Sequence, residues 1–398
     1  MLKLYTTIVC SKLDYGSFVY GSARRRTLAK LDSVHHTGIR LATGAFRTSP
    51  ILSICSEAGL PPLSFRRQKL AIHYVSKLFE QTNHPTYKYI FRSKFSIAFR
   101  QKRNPTLPLA ERITLAISTL KAIPIMKPEI QNPPWTLKQP VTMLHLSLMH
   151  KNKTASVKYK ERLSRLLENI PDYFLIYTDG SKSETSTASS FVTHDSTHKF
   201  KLHKLCSVYT AELHAIASAL HFCFSITQKT IVIISDSLSS LKSLRNMYPE
   251  HPLIIRIQSF LLKLSQQGKS IIFIWAPSHT GIVGNELADK AAREALTLPG
   301  RGTAVLTPSE LSTPLKLQIL EKWQAKWDES SPSKLKEIKR SVKPWSTSYR
   351  NSRREEVALA RLRIGHTLLT HSHLIRKLPP QELRGNSCHP PVKGMAGL

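Results

Sequence analysis

The sequence predicts an α/β domain over residues 170–298, built as a mixed five-stranded sheet with helices on both faces and flanked by mainly helical N- and C-terminal segments. Three observations carry this. Apolar, β-branched runs at 173–178, 231–234 and 271–276 have the length of buried strands. Segments with 3.6-residue periodicity stand between them. Two of the runs stop at turns that carry an aspartate, Asp179-Gly180-Ser181 and Ser235-Asp236.

The first run reads as a buried strand ending at Asp179, and runs 188–193 and 199–205 suit two further strands in a meander. Leu213, Ile216, Ala217, Leu220 and Phe224 then recur at i, i+3, i+4, i+7 and i+11, so this helix buries one face. After the strand at 231–234, helical segments fill the interval to Gln267, and 271–276 forms another core strand. Beyond Gly284, a helix carrying Ala288, Ala291, Ala292 and Ala295 is small enough on one face to approach a sheet closely. The resulting order is β, β, β, α, β, α, β, α.

Residues 1–100 read as helical, with apolar columns at Leu28, Leu31 and Val34 and at Leu70, Val75 and Leu78. Residues 101–169 form a proline-rich linker, with Pro133, Pro134 and Trp135 together, followed by a short amphipathic helix around 159–170. Residues 299–398 form a basic helical tail with Trp323 and Trp327 one turn apart.

Lys and Arg number 58 against 26 Asp and Glu, a net charge of +32. Such a charge favours a polyanion, because every phosphate neutralised releases condensed counterions. A solvated basic surface or a membrane-surface protein is the alternative. The apolar run 271–276 is too short to span a bilayer, and 253–264 is broken by Arg256, Gln258 and Lys263. The first ten residues lack a small-residue cleavage site, so an intracellular location, cytoplasm and/or nucleus, is expected. Cys10, Cys55, Cys206, Cys223 and Cys388 show no paired spacing and read as reduced thiols.

Asp179 and Asp236 end two core strands, and the carboxyl ends of strands are where open α/β sheets bind ligands. Glu212 shares a helical column with Ile216 and so points toward the sheet. Asp289 follows His279 by ten residues. Singly, each has an ordinary explanation: a turn aspartate, a helix-start carboxylate, a solvated acid, a surface histidine among seventeen. Together, four converging carboxylates repel one another unless hard cations sit between them, and a two-metal Mg²⁺ phosphodiester site meets that need.

The runs Tyr177-Thr178-Asp179-Gly180-Ser181, Tyr209-Thr210-Ala211-Glu212-Leu213, Ser235-Asp236-Ser237 and Trp275-Ala276-Pro277-Ser278-His279-Thr280-Gly281, with Gly284, Asn285, Glu286 and Asp289, resemble the type 1 RNase H domain of non-LTR retrotransposons, in the right order over about a third of the chain. The resemblance implies an RNase H-like fold and hydrolysis of the RNA strand of RNA–DNA hybrids. It also implies two Mg²⁺ ions, for which Mn²⁺ can substitute. Asp179 would bridge both metals, Asp289 would complete the site of the attacking water, Glu212 and Asp236 would hold the metal at the leaving 3′ oxygen, and His279 would move protons or help product leave. Gly180, Ser181 and Asn285 are the implied substrate contacts. In bacterial relatives an asparagine pair and a glutamine contact the hybrid where this chain has Tyr209, Thr210 and Leu238. Recognition of ribose 2′-hydroxyls then falls to Glu212 and to backbone around Gly180 and Ser181.

Ser11 to Gly16, Val19 to Gly21 and Gly44 to Pro50 look like the region after the palm of arthropod Jockey-like LINE reverse transcriptases, although no two aspartates are adjacent anywhere in the chain. Residues 360–373 resemble the segment before a Cys/His zinc knuckle. Only Cys388 and His389 follow, too few for a four-coordinate zinc with His366, His371 and His373 as distant candidates, so the ending reads as truncated or frameshifted. Two alternatives remain beside the nuclease. One is a catalytically inactive nucleic-acid-binding relic; the other is a strand-transferring integrase, which needs a different acid order.

Overall fold

The computed structural model describes residues 1–92, 99, 106–114, 116–118, 126, 133–137, 139–149, 154–300, 302–303, 305–345, 350, 352–367 and 370–371. In chain order its principal elements are α1 (Arg25–Thr43), α2 (Ile51–Ala58), α3 (Leu63–Glu80), β1 (Val141–Met143), α4 (Ser156–Glu168), β2 (Tyr173–Lys182), β3 (Thr187–Val192), β4 (Thr197–Leu202), α5 (Val208–Phe222), β5 (Thr230–Ser235), α6 (Leu238–Ser243), α7 (Pro252–Gln266), β6 (Ser270–Trp275), α8 (Val283–Ala295), α9 (Pro308–Asp328), α10 (Lys334–Ile338) and α11 (Arg353–Ile364). They divide into two compact units, Met1–Ala71 with Gln318–Leu398, and Ile72–Leu317.

The first unit is helical and joins both ends of the chain around one core. Tyr5, Cys10, Ile39, Ile54, Trp323, Trp327 and Ile364 all belong to it. The face that α1 buries differs from the expected one. Val34 is exposed, and the buried column is His35, Ile39 and Ala42. A polar residue can lead that column because both imidazole nitrogens are bonded: Nδ1 lies 2.6 Å from Tyr5 Oη and Nε2 lies 3.1 Å from the Pro61 carbonyl. Burial pushes the His35 pKa down to about 4, so the ring is neutral.

The second unit holds a six-stranded sheet in the order β1-β6-β5-β2-β3-β4. β1, β6, β5 and β2 run parallel, while β3 and β4 are antiparallel neighbours in the expected meander. The sixth strand lies within the proline-rich segment, where Val141–Met143 pairs with Ile272, Phe273 and Ile274. Three residues are too few to show a period of two, which is why the sequence suggested five strands.

β2 also differs from expectation. It pairs with β5 as far as Thr178 and with β3 from Tyr177 to Lys182, so Asp179 lies inside a continuing strand and not at its end. Every residue of β3 is buried, as helices on both faces require. Tyr159 and Leu163 of α4 pack with Ile170 on Val232, Ile234 and Ile274. The alanine face of α8 is buried as expected, and a Cβ at Gly284 would come within 2.1 Å of the Tyr177 ring. Only a residue without a side chain allows that approach.

Four described cysteines, Cys10, Cys55, Cys206 and Cys223, are free and buried. Among the described residues no helix is long and apolar enough to cross a membrane. His366 and His371 stack with ring centroids 3.9 Å apart, whereas His373, Cys388 and His389 lie outside the described residues.

Candidate active site

Thr178 and Ser235 face each other across parallel strands β2 and β5, so the next residue on each strand, Asp179 and Asp236, comes to the same edge of the sheet. The β5 end is fixed by Trp275, whose indole Nε1–H donates to the Asp236 carbonyl at 2.8 Å. Helix α5 brings the third acid from above. Its N-cap Ser207 accepts from the Thr210 N–H, and Glu212 lies on its buried face with Leu213 and Ile216. The approach of α5 to β2 depends on Gly180, because a Cβ there would sit 2.6 Å from the Glu212 nitrogen and 2.9 Å from the Ala211 carbonyl carbon.

Gly180→Ala is therefore expected to push α5 outward and separate Glu212 from Asp179. Overpacking against backbone costs about 1–3 kcal/mol. A lower thermal midpoint together with weaker Mg²⁺ binding would bear this out, and a variant unchanged in both would contradict it.

Asp179, Glu212 and Asp236 each offer an oxygen, and these atoms all lie within 4.8 Å of one another. Asp179 is 5% exposed and Glu212 is 6% exposed. Burial and the Asp236 and Asp289 carboxylates push the Asp179 pKa up to about 8, against the pull of Arg293 and the Gly180 amide. Glu212 is raised well above the usual carboxylate range by burial and then by Asp179 and Asp236. Its Oε2 is buried without a hydrogen-bond partner. Unpartnered buried carboxylate oxygens are costly, and a hard divalent cation is the partner this donor set fits.

Asp289, on α8, stands at the edge of this group, and its charge is felt at Asp179. The sequence suggested four acids converging alike. The structure gathers three, with Asp289 Oδ2 held 2.7 Å from Arg293 Nη2, one helical turn on. Arg293 escaped sequence reasoning, although its i, i+4 spacing from Asp289 was the available signal. His279 lies in the loop between β6 and α8 with a left-handed φ of 54° and a side chain 64% exposed, its Nδ1 4.0 Å from Asp289 Oδ2.

The expected substrate contacts fall in different settings. Gly180 and Ser181 are half-buried on β2, opposite Ser189 and Ala188 of β3. Asn285, at the start of α8, is 2% exposed, with Oδ1 buried and without a hydrogen-bond partner. Thr210 is likewise buried, and its hydroxyl donates to Glu310 at 2.6 Å.

Residues 171–297 match the family model of RNase H. Over 158 residues the chain is 29% identical to the Pol polyprotein of equine infectious anemia virus, strain Wyoming, a match covering 38% of this chain and 13% of the viral protein. The Pol polyproteins of isolates 1369 and CL22 match to the same extent. The chain thus spans 13% of the length of these curated relatives. The expected fold class, an RNase H-like mixed sheet with helices on both faces, is the observed one.

Proposed function

We propose that residues 170–298 form a type 1 RNase H that hydrolyses the RNA strand of RNA–DNA hybrids with divalent metal, within a protein derived from a non-LTR retrotransposon. The observation that carries this reading is the Asp179–Glu212–Asp236 cluster, two buried acids and one half-buried, on a domain that matches the RNase H family model. The Pol polyproteins that match agree with a retroelement context, and the net charge of +32 suits a nucleic acid. On this reading the region before residue 100 descends from the end of a reverse transcriptase.

Asp179, Glu212 and Asp236 would hold one divalent ion, and Asp179 with Asp289 would hold the other. When bound, two Mg²⁺ ions, or Mn²⁺ in their place, supply the Lewis acidity that activates water and stabilises the leaving 3′ oxygen. Arg293 pairs with Asp289 at 2.7 Å and so offsets one of the negative charges at the site. His279, exposed and free to turn toward solvent, carries protons between the reacting phosphate and bulk water. Contact to ribose 2′-hydroxyls is assigned to Glu212 and the Gly180–Ser181 backbone.

The test is cleavage of labelled hybrid, duplex DNA and duplex RNA in Mg²⁺. Only the RNA strand of the hybrid should be cut, and binding of all three without cutting would instead indicate an inactive nucleic-acid-binding relic. His279→Ala should slow turnover by roughly 10–100-fold, less than loss of a carboxylate, because the imidazole assists without holding metal. A His279 variant as inactive as Asp179→Asn would mean that its role is wrongly assigned.

A further inference from the structure

Glu310 lies in the first turn of α9, beyond the residues that match the RNase H model, and is 8% exposed. Its Oε1 accepts from the Ser207 N–H at 2.5 Å and from Thr210 Oγ1 at 2.6 Å. Its Oε2 accepts from the Thr307 N–H at 2.9 Å and from Thr307 Oγ1 at 3.0 Å. The Glu310 N–H faces Thr307 Oγ1 at 3.3 Å, a reciprocal cap at the start of α9. One carboxylate thus closes two helix starts, its own and that of α5, where a negative charge also meets the positive end of each helix.

The bonds continue past Thr210. Because the Thr210 hydroxyl hydrogen goes to Glu310, its oxygen accepts from Ser207 Oγ at 3.1 Å and can accept from His251 Nε2, 3.3 Å away. His251 Nδ1 accepts from the Leu253 N–H at the start of α7, which leaves the proton on Nε2. Burial lowers the His251 pKa and keeps the ring neutral, as this arrangement needs. Helices α5, α7 and α9 are therefore tied at their N-termini through Glu310, Thr210 and His251.

Glu212 sits in the second turn of α5, two residues after Thr210, and one of its carboxylate oxygens lies within 4.8 Å of oxygens of Asp179 and Asp236. The bonds from Glu310 to Ser207 and Thr210 thus fix the turn of α5 that immediately precedes the acid. We infer that Glu310 is a positioning residue for the metal centre, holding the start of α5 so that Glu212 stays beside Asp179. This inference rests on the carboxylate cluster being the catalytic centre.

The experiment compares Glu310→Gln, Thr210→Val and Thr210→Ser in the full chain. A glutamine keeps the shape but turns an NH₂ toward groups that are themselves donors. Valine removes the hydroxyl at constant size, and serine restores it. Amide exchange of residues 207–212 in metal-free protein should be about tenfold faster in Glu310→Gln, the factor expected for a lost charge-assisted hydrogen bond. The Mg²⁺ concentration giving half the maximal thermal shift should rise by about five- to tenfold. On hybrid, kcat should fall while KM stays unchanged. Thr210→Val should follow in the same direction with smaller effects, and Thr210→Ser should behave as the parent.

If the parent cleaves hybrid while the Gln and Val variants keep parental exchange and Mg²⁺ response, the inference is overturned alone. A Glu310→Gln protein that simply unfolds leaves the decision to Thr210→Val, and parental values there overturn it too. A parent that neither shifts with Mg²⁺ nor cleaves hybrid overturns the reading of the cluster, and the positioning role falls with it, whatever the exchange rates.

Discussion

Asp179→Asn is expected to lower hybrid cleavage by about 10³-fold or more while changing hybrid affinity by no more than about twofold. The substitution removes the carboxylate that the proposed two-metal site would share but almost no volume, at a residue only 5% exposed. On the proposed function, affinity for the hybrid would come largely from the net charge of +32, which this change raises by no more than one. The same substitution should raise the thermal midpoint of the metal-free protein above neutral pH, since it removes a carboxyl whose ionised form is penalised by burial and then by the neighbouring carboxylates. Gained stability with lost turnover marks a residue kept for function. Turnover near the parental rate would contradict the metal-centre assignment.

The second large effect is on stability against pH without metal. The Asp179 carboxyl titrates near 8 in the folded protein against an ordinary value of 3.8. The folded state therefore holds a proton that the unfolded state has released. This contribution is fully present below about pH 4 and is lost as pH rises through 8. Glu212 acts in the same sense. The buried histidines His35 and His214, both lowered to about 4, act oppositely, since their stabilisation appears above pH 6.5 and is lost as pH falls toward 4. Between pH 6.5 and 8 the acids dominate.

In EDTA the thermal midpoint should accordingly drop by on the order of 3–6 °C across that window, and millimolar Mg²⁺ should reverse the drop by binding only the folded state. Asp179→Asn should flatten most of the slope. A parental midpoint that is level with pH, or indifferent to Mg²⁺, would speak against a buried, repelling acid cluster.

The parts of this fold visible in the sequence are those where burial is strong and periodic. The β-branched runs of β2, β5 and β6 and the alanine face of α8 are examples, because nothing but a covered sheet accommodates them. The catalytic candidates were visible because three acids sit at fixed places relative to those runs. What escaped depends on tertiary pairing. β1 is three residues long and exists as a strand through β6. The continuation of β2 past Asp179 is set by β3. The inward face of α1 is led by a histidine, whose burial is tolerable only with Tyr5 and Pro61 beside it. Glu310 is invisible as a partner of α5, since 100 residues separate it from Thr210.

The measurement that bears most directly on the central claim is anomalous diffraction from crystals of the chain soaked in MnCl₂ with an RNA–DNA hybrid. Manganese takes oxygen ligands and can be located by its own scattering. Two peaks are expected, one within bonding distance, about 2.0–2.3 Å, of Asp179, Glu212 and Asp236 oxygens and a second between Asp179 and Asp289. Manganese absent from these four carboxylates, with the hybrid bound and Glu212 Oε2 still unpartnered, would contradict that claim.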